Sequence, residues 1–171
     1  MKKIVTLILI SFIINLSVTC QQKFLTRVQT DGSESKVYLV KNSNKFVLYD
    51  SDNTYTKTFK GFENFDELDY IECMTLPYVE SYDFLADVVS CKKIGIGYGK
   101  YFDFNILKNV KNLEELIFVG YISDEDFEKI KRDGIDLSEL KYLKKFTFNL
   151  IGRKIDFDLK IKYAEDVSEE K

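Results

Sequence analysis

The chain has 171 residues, 45% of them hydrophobic and 31% charged, with three cysteines, one proline and no histidine. That is the size of one ordinary domain, apolar enough to fold without a metal or disulfide and too poor in proline for a linker. The missing histidine excludes serine–histidine and cysteine–histidine nucleophile pairs and imidazole-bound zinc, and a formal charge of −3 gives no general attraction to a phosphate backbone.

The amino terminus reads as an address. Met1-Lys2-Lys3 is basic, residues 4–14 are apolar apart from Thr6 and Ser11, and Asn15-Leu16-Ser17-Val18-Thr19-Cys20 follows. A basic start, an apolar centre and a small-residue end make a secretory signal peptide, here residues 1–19. The apolar run is shorter than the roughly 20 residues of a membrane span. Its ending resembles the lipobox of bacterial lipoproteins, which has leucine three places before the cysteine and Gly, Ala or Ser just before it. Here Leu16 stands four places before and Thr19 adjoins Cys20. The resemblance implies lipidation at Cys20 and anchoring of an exported cell-envelope protein by acyl burial of ~0.8 kcal/mol per CH₂. A secreted or periplasmic protein is the alternative. Gln21-Gln22 suits an extended tether, taken as residues 20–35, with a turn cluster at Asp31-Gly32-Ser33.

Residues 36–61 form the next unit. Val37 and Leu39, then Phe46 and Leu48, alternate at period two around Asn42-Ser43-Asn44, which predicts a hairpin, and residues 55–59 suit a third strand. Together they serve as an amino-terminal β cap.

From Phe62 a different rhythm repeats, with apolar residues at steps of three, three, three and two. The sets are Phe62, Phe65, Leu68, Ile71, Cys73; Leu85, Val88, Cys91, Ile94, Ile96; Leu107, Val110, Leu113, Leu116, Phe118; and Leu137, Leu140, Leu143, Phe146, Phe148. Their third members recur at intervals of 23, 22 and 30 residues, an internal period of stacked-repeat proteins. A step of two suits a short strand and steps of three suit a helical or 3₁₀ turn facing the same core. The string resembles the leucine-rich repeat over residues 62–150, although Leu76, Gly99, Tyr121 and Ile151 stand where that family has asparagine. The resemblance implies an α/β fold: a short leucine-rich-repeat-like solenoid of about four repeats, parallel strands on its concave face, with β-strand caps at both ends.

The long third interval contains a predicted helix. Ser123 is a natural N-cap, Asp124, Glu125 and Asp126 fill the first turn, and Gly134 can end it. Shorter helical turns are expected at residues 82–89 and 105–111. Residues 155–163 alternate apolar with charged and predict a strand, so 151–163 is a carboxy-terminal cap and 164–171 a frayed tail.

Chemistry is mostly excluded. Gly95-Ile96-Gly97-Tyr98-Gly99-Lys100 has Ile94 and Tyr101 where a phosphate loop needs glycine and a hydroxyl. Its glycines allow close approach of a neighbour. Acid pairs such as Asp124/Asp126 and Asp156/Asp158 read as solvated faces. In the repeat register Cys73 ends one strand and Cys91 begins the next, roughly 16 Å apart at 3.3 Å per residue, too far for a disulfide. No cofactor or metal is expected.

What remains is the outward face of the strands. It presents Tyr70, Glu72 and Met74; Lys93, Gly95 and Gly97; Glu115, Ile117 and Val119; and Lys145, Thr147 and Asn149. Apolar area beside charges suits a protein partner more than a nucleic acid. The expectation is a non-catalytic, lipid-anchored envelope protein that binds a protein partner. Two other readings stand beside it: a carboxylate-based hydrolase of envelope polysaccharide, and a neutralising or immunity-type lipoprotein.

Overall fold

The structure, a computed structural model, describes residues 22–50, 55–73, 76–79, 81–97 and 103–164. The expected signal peptide, Cys20 and the residues after 164 lie outside them. Ten strands are present among the described residues: β1 (Phe24–Gln29), β2 (Glu34–Tyr38), β3 (Lys45–Leu48), β4 (Thr56–Lys60), β5 (Leu68–Cys73), β6 (Cys91–Gly97), β7 (Glu115–Gly120), β8 (Ile135–Leu137), β9 (Lys145–Leu150) and β10 (Ile161–Tyr163). One α-helix, α1 (Asp124–Asp133), and 3₁₀ segments at Phe62–Asn64, Asp83–Asp87 and Phe104–Asn109 complete them.

The strands form three sheets. An antiparallel sheet has the order β2-β1-β4, a parallel sheet the order β3-β5-β6-β7-β9, and β10 pairs parallel with β8. The apolar steps of two become two ladders across the parallel sheet. One runs Phe46, Ile71, Ile94, Leu116, Phe146 and the other Leu48, Cys73, Ile96, Phe118, Phe148. Parallel in-register stacking brings like side chains together, so both ladders build one continuous apolar layer.

The steps of three become turns behind that layer. Phe65, Val88, Val110 and Leu143 each donate a backbone N–H to the carbonyl three residues earlier, on Phe62, Leu85, Leu107 and Leu140. Rings then lock turns to sheet. Phe46 meets Phe65 edge-on at 4.9 Å, and Phe104 meets Phe118 and Phe146 at 5.9 and 5.5 Å. Aromatic pairs of this kind are worth about 0.5–1.5 kcal/mol beyond their buried area.

The expected leucine-rich-repeat-like solenoid, four parallel strands with a β cap at each end, is corrected. The fold is mixed α/β, with an antiparallel sheet beside a parallel one. The parallel sheet has five strands, and its first, β3, comes from the segment read as part of a cap. In a solenoid each unit touches only its neighbours through like connections. Here three connections use 3₁₀ turns while the fourth uses a ten-residue helix and a strand, β8, that the chain's end returns to pair with.

The local cause is burial. Phe46 and Leu48 become fully buried by joining β5, whereas Val37 and Leu39 stay only partly buried. So the expected hairpin of residues 36–48 does not form. Val40 accepts the turn from Ser43, and β2 pairs with β1 instead. The segment read as a tether contains β1, and Asp31-Gly32-Ser33 is the β1–β2 turn, with the Ser33 N–H donating to Asp31 Oδ1 at 2.9 Å. The strand expected over 155–163 shortens to β10 because the chain up to Lys160 leans on α1. Phe157 meets Phe127 at 5.6 Å and Arg153 lies over the same ring.

The helix forms as its sequence directs. The Asp126 N–H donates to Ser123 Oγ at 3.0 Å, and Gly134 ends α1 at φ +78° with its N–H on the Ile130 carbonyl. No helix among the described residues is long and apolar enough to cross a membrane.

Candidate functional site

The outward face of the parallel sheet is built from the positions between the buried ladders. Its first row is Lys45, Tyr70, Lys93, Glu115 and Lys145, and its second is Val47, Glu72, Gly95, Ile117 and Thr147. Gly97, Val119 and Asn149 continue it toward the strand ends. Met74 lies outside the described residues. The other predicted surface residues share this one face. Tyr70, Glu72, Lys93, Glu115, Ile117, Val119 and Thr147 are half-buried, while Lys145 and Asn149 are exposed.

Tyr70 is held from three sides. The Lys45 and Lys93 ammonium groups sit 4.5 and 5.1 Å from its ring centroid. Gly95, its diagonal neighbour on β6, leaves the space its ring fills, since a Cβ there would stand 2.8 Å from Tyr70 Oη. Burial, and then the carboxylates of Glu72 and Glu115, push the Tyr70 hydroxyl pKa upward, so the hydroxyl stays a protonated donor at neutral pH.

The charges on this face are paired, three lysines with two glutamates. Lys45 reaches Glu72 at 2.7 Å, and Glu115 bridges Lys93 at 3.1 Å and Lys145 at 2.8 Å. Hydrogen bonds from Lys145 and Lys93 hold the Glu115 carboxyl below its ordinary range. Held in pairs, these side chains frame a surface whose apolar area is the Tyr70 ring and the side chains of Val47, Ile117 and Val119. The sequence reading missed Lys45 and Val47. The signal was present in the step of two from Phe46 to Leu48, which matches the end of every repeated set but lacks the steps of three before it.

The buried thiols take no part. Cys73 and Cys91 are free and buried, and Cys91 pairs with Leu68 while Cys73 pairs with Ile96, which keeps them at opposite ends of adjacent strands. Burial pushes both thiol pKa values up, that of Cys91 to about 12.

Two open depressions flank the antiparallel sheet. One is bordered by Phe24, Thr26, Lys60 and Glu63, the other by Val40, Asn42, Asn44 and Asp69. Each carries one carboxylate, so neither assembles the pair that glycoside hydrolysis requires. No group of three or more potential metal ligands occurs among the described residues.

No protein-family model matches this chain, and neither a curated protein nor a solved structure resembles it significantly.

Proposed function

We propose that the chain is an exported, lipid-anchored cell-envelope protein that binds a protein partner through the outward face of its parallel sheet. The observation that carries the contact reading is Tyr70, an aromatic side chain fixed between Lys45 and Lys93 before any partner arrives. Preorganised aromatic anchors contribute most to protein interfaces, because little rotamer entropy is left to lose on binding. Ile117 and Val119 extend apolar area beside it, and the paired charges form a polar rim. The export signal at residues 1–19 and Cys20 support the location.

The test uses the full chain as bait against solubilised envelope proteins of its own cell. Tyr70→Ala combined with Ile117→Asp should lose the partners that the wild type retains, with an unchanged circular-dichroism spectrum. Identical binding profiles would refute the contact face. Metabolic labelling with a palmitate analogue should mark the wild type and spare Cys20→Ala; label on neither would refute the anchor.

A further inference from the structure

We infer that the free edge of β9 is a homodimer interface, at which two copies of this chain pair their β9 strands antiparallel across a two-fold axis. The first observation is an asymmetry between the ends of the parallel sheet. At one end Phe46 and Leu48 of β3 are fully buried, Phe46 against the rings of Phe62 and Phe65. At the other, Phe146, Phe148 and Leu150 of β9 occupy the same inward positions and remain half-buried. The returning chain forms no strand pair with that edge among the described residues; its one strand, β10, pairs with β8, and Phe157 meets Phe127 of α1.

The second observation is the direction of the backbone groups. Lys145 and Ile151 donate their N–H groups to Glu114 and Gly120, toward β7. Alternation along a parallel strand then aims the N–H and C=O of Phe146, Phe148 and Leu150 outward, where β9 pairs with no strand among the described residues. An edge of this kind, apolar on one side and without proline, is a template for another strand.

The occupant follows from the sequence of the edge. A two-fold axis through Phe148 sets Phe148 against its own copy and Phe146 against Leu150, so the apolar layer continues across the junction. Thr147 then faces Asn149, Lys145 faces Ile151 and Lys144 faces Gly152, so no like charges meet. Lys145 is in addition already neutralised by Glu115. The register centred on Thr147 is poorer, because it sets Lys144 against Leu150. Head-to-tail growth needs an open β3 edge, and there the Lys45 carbonyl is already taken by the Val40 N–H at 2.8 Å. A closed, self-complementary pair remains.

The full chain in detergent tests this by sedimentation and by register-specific cross-linking. The wild type should pass from one copy to two with rising concentration, by mass action, over roughly 1–100 µM. Phe148→Asp, checked for folding by circular dichroism, should sediment as one copy throughout. A mixture of Thr147→Cys and Asn149→Cys chains should form a 147–149 disulfide that mass spectrometry identifies, while neither chain alone forms a link at its new cysteine. The non-hydrogen-bonded pair places these Cα atoms about 4.5 Å apart, within disulfide reach. A wild type that stays single at every concentration would overturn the proposal. So would a 147–147 link, a mixture without the 147–149 link, or a Thr147→Cys thiol that couples to a different protein.

Discussion

The ring of Tyr70 fills the space above Gly95, so close that a Cβ on the glycine would meet Tyr70 Oη at 2.8 Å. The glycine on β6 therefore sets the pose of the aromatic anchor on β5. Because the atom in the way is the far end of a side chain, Gly95→Ala should displace the ring and spare the fold. Replacing a strand glycine also removes its backbone entropy penalty of about 0.5–1 kcal/mol. The melting temperature should stay within a few degrees of wild type. The Lys45 and Lys93 side-chain protons should lose the ring-current shifts that Tyr70 imposes, and partner binding should weaken. Unchanged ring-current shifts would show that the ring does not depend on Gly95.

Glu115 links two lysines contributed by its neighbouring strands. Glu115→Gln leaves Lys93 and Lys145 unneutralised one strand either side, and the stability loss should stay near or below ~1 kcal/mol because all three groups meet solvent. The sign with pH is fixed by the lowered pKa of the carboxyl. Its stabilisation is fully present above the unfolded value, near 4.5, and is lost as pH falls through the lower folded value. Thermal melts should separate wild type from Glu115→Gln at pH 7 and bring them together in strong acid. Added salt should narrow the gap at pH 7.

Alkaline behaviour follows from the two thiols and Tyr82. Burial raises the pKa of Cys73, Cys91 and Tyr82 above ordinary values of 9.0 for the thiols and 10.0 for the phenol. Raised folded values favour the protonated form, so the stabilisation is intact below pH 9 and declines as pH climbs toward and past 12. Urea midpoints should be level up to about pH 9 and fall beyond it. Cys73→Ser and Cys91→Ser should flatten part of that fall, although each will itself cost stability by burying a hydroxyl. At pH 8 an alkylating reagent should leave both thiols unmodified until the chain is unfolded, since neither is exposed or ionised.

The sequence exposed the local rhythm more clearly than the architecture. Steps of three at Phe62–Phe65 or Leu107–Val110 are turns with their own hydrogen bonds, so spacing alone reveals them. The inward and outward alternation of β5, β6, β7 and β9 is likewise a local property, and it placed Tyr70, Lys93, Glu115 and Lys145 on one row. What stayed hidden was partner choice. Phe46 and Leu48 alternate equally well in a hairpin or a parallel sheet, and only the burial available beside Ile71 and Cys73 decides between them. Phe24, Leu25 and Val28 give too irregular a pattern to announce β1, whose neighbours are fixed by pairing with β2 and β4. Alternation from Ile155 to Tyr163 announced nine residues of strand, but contacts with α1 leave pairing to the last three.

Gly134 gives the sharpest test of how the end of the chain is tied down. It closes α1 at φ +78°, and a Cβ there would stand 2.5 Å from the Lys160 carbonyl oxygen. That same oxygen accepts the Ile135 N–H at 2.9 Å and opens the parallel pairing of β8 with β10. The obstacle is backbone, so relief requires moving the strand itself. Gly32 provides the control, since it has a similar φ of +85° in the β1–β2 turn and open space around its missing Cβ. Gly32→Ala should cost only the left-handed backbone penalty, about 1–2 kcal/mol. Gly134→Ala meets a harsher backbone penalty, since φ +78° with ψ −163° is a region only glycine occupies freely, and it also forces Lys160 away, so its loss should exceed that of Gly32→Ala by at least ~1 kcal/mol in urea unfolding. Hydrogen exchange should localise the excess, with the Ile135 amide losing protection in Gly134→Ala while amides of β5 and β6 keep theirs. Equal losses at the two glycines, with Ile135 still protected, would mean that the β8–β10 pairing contributes nothing to holding the carboxy-terminal segment in place.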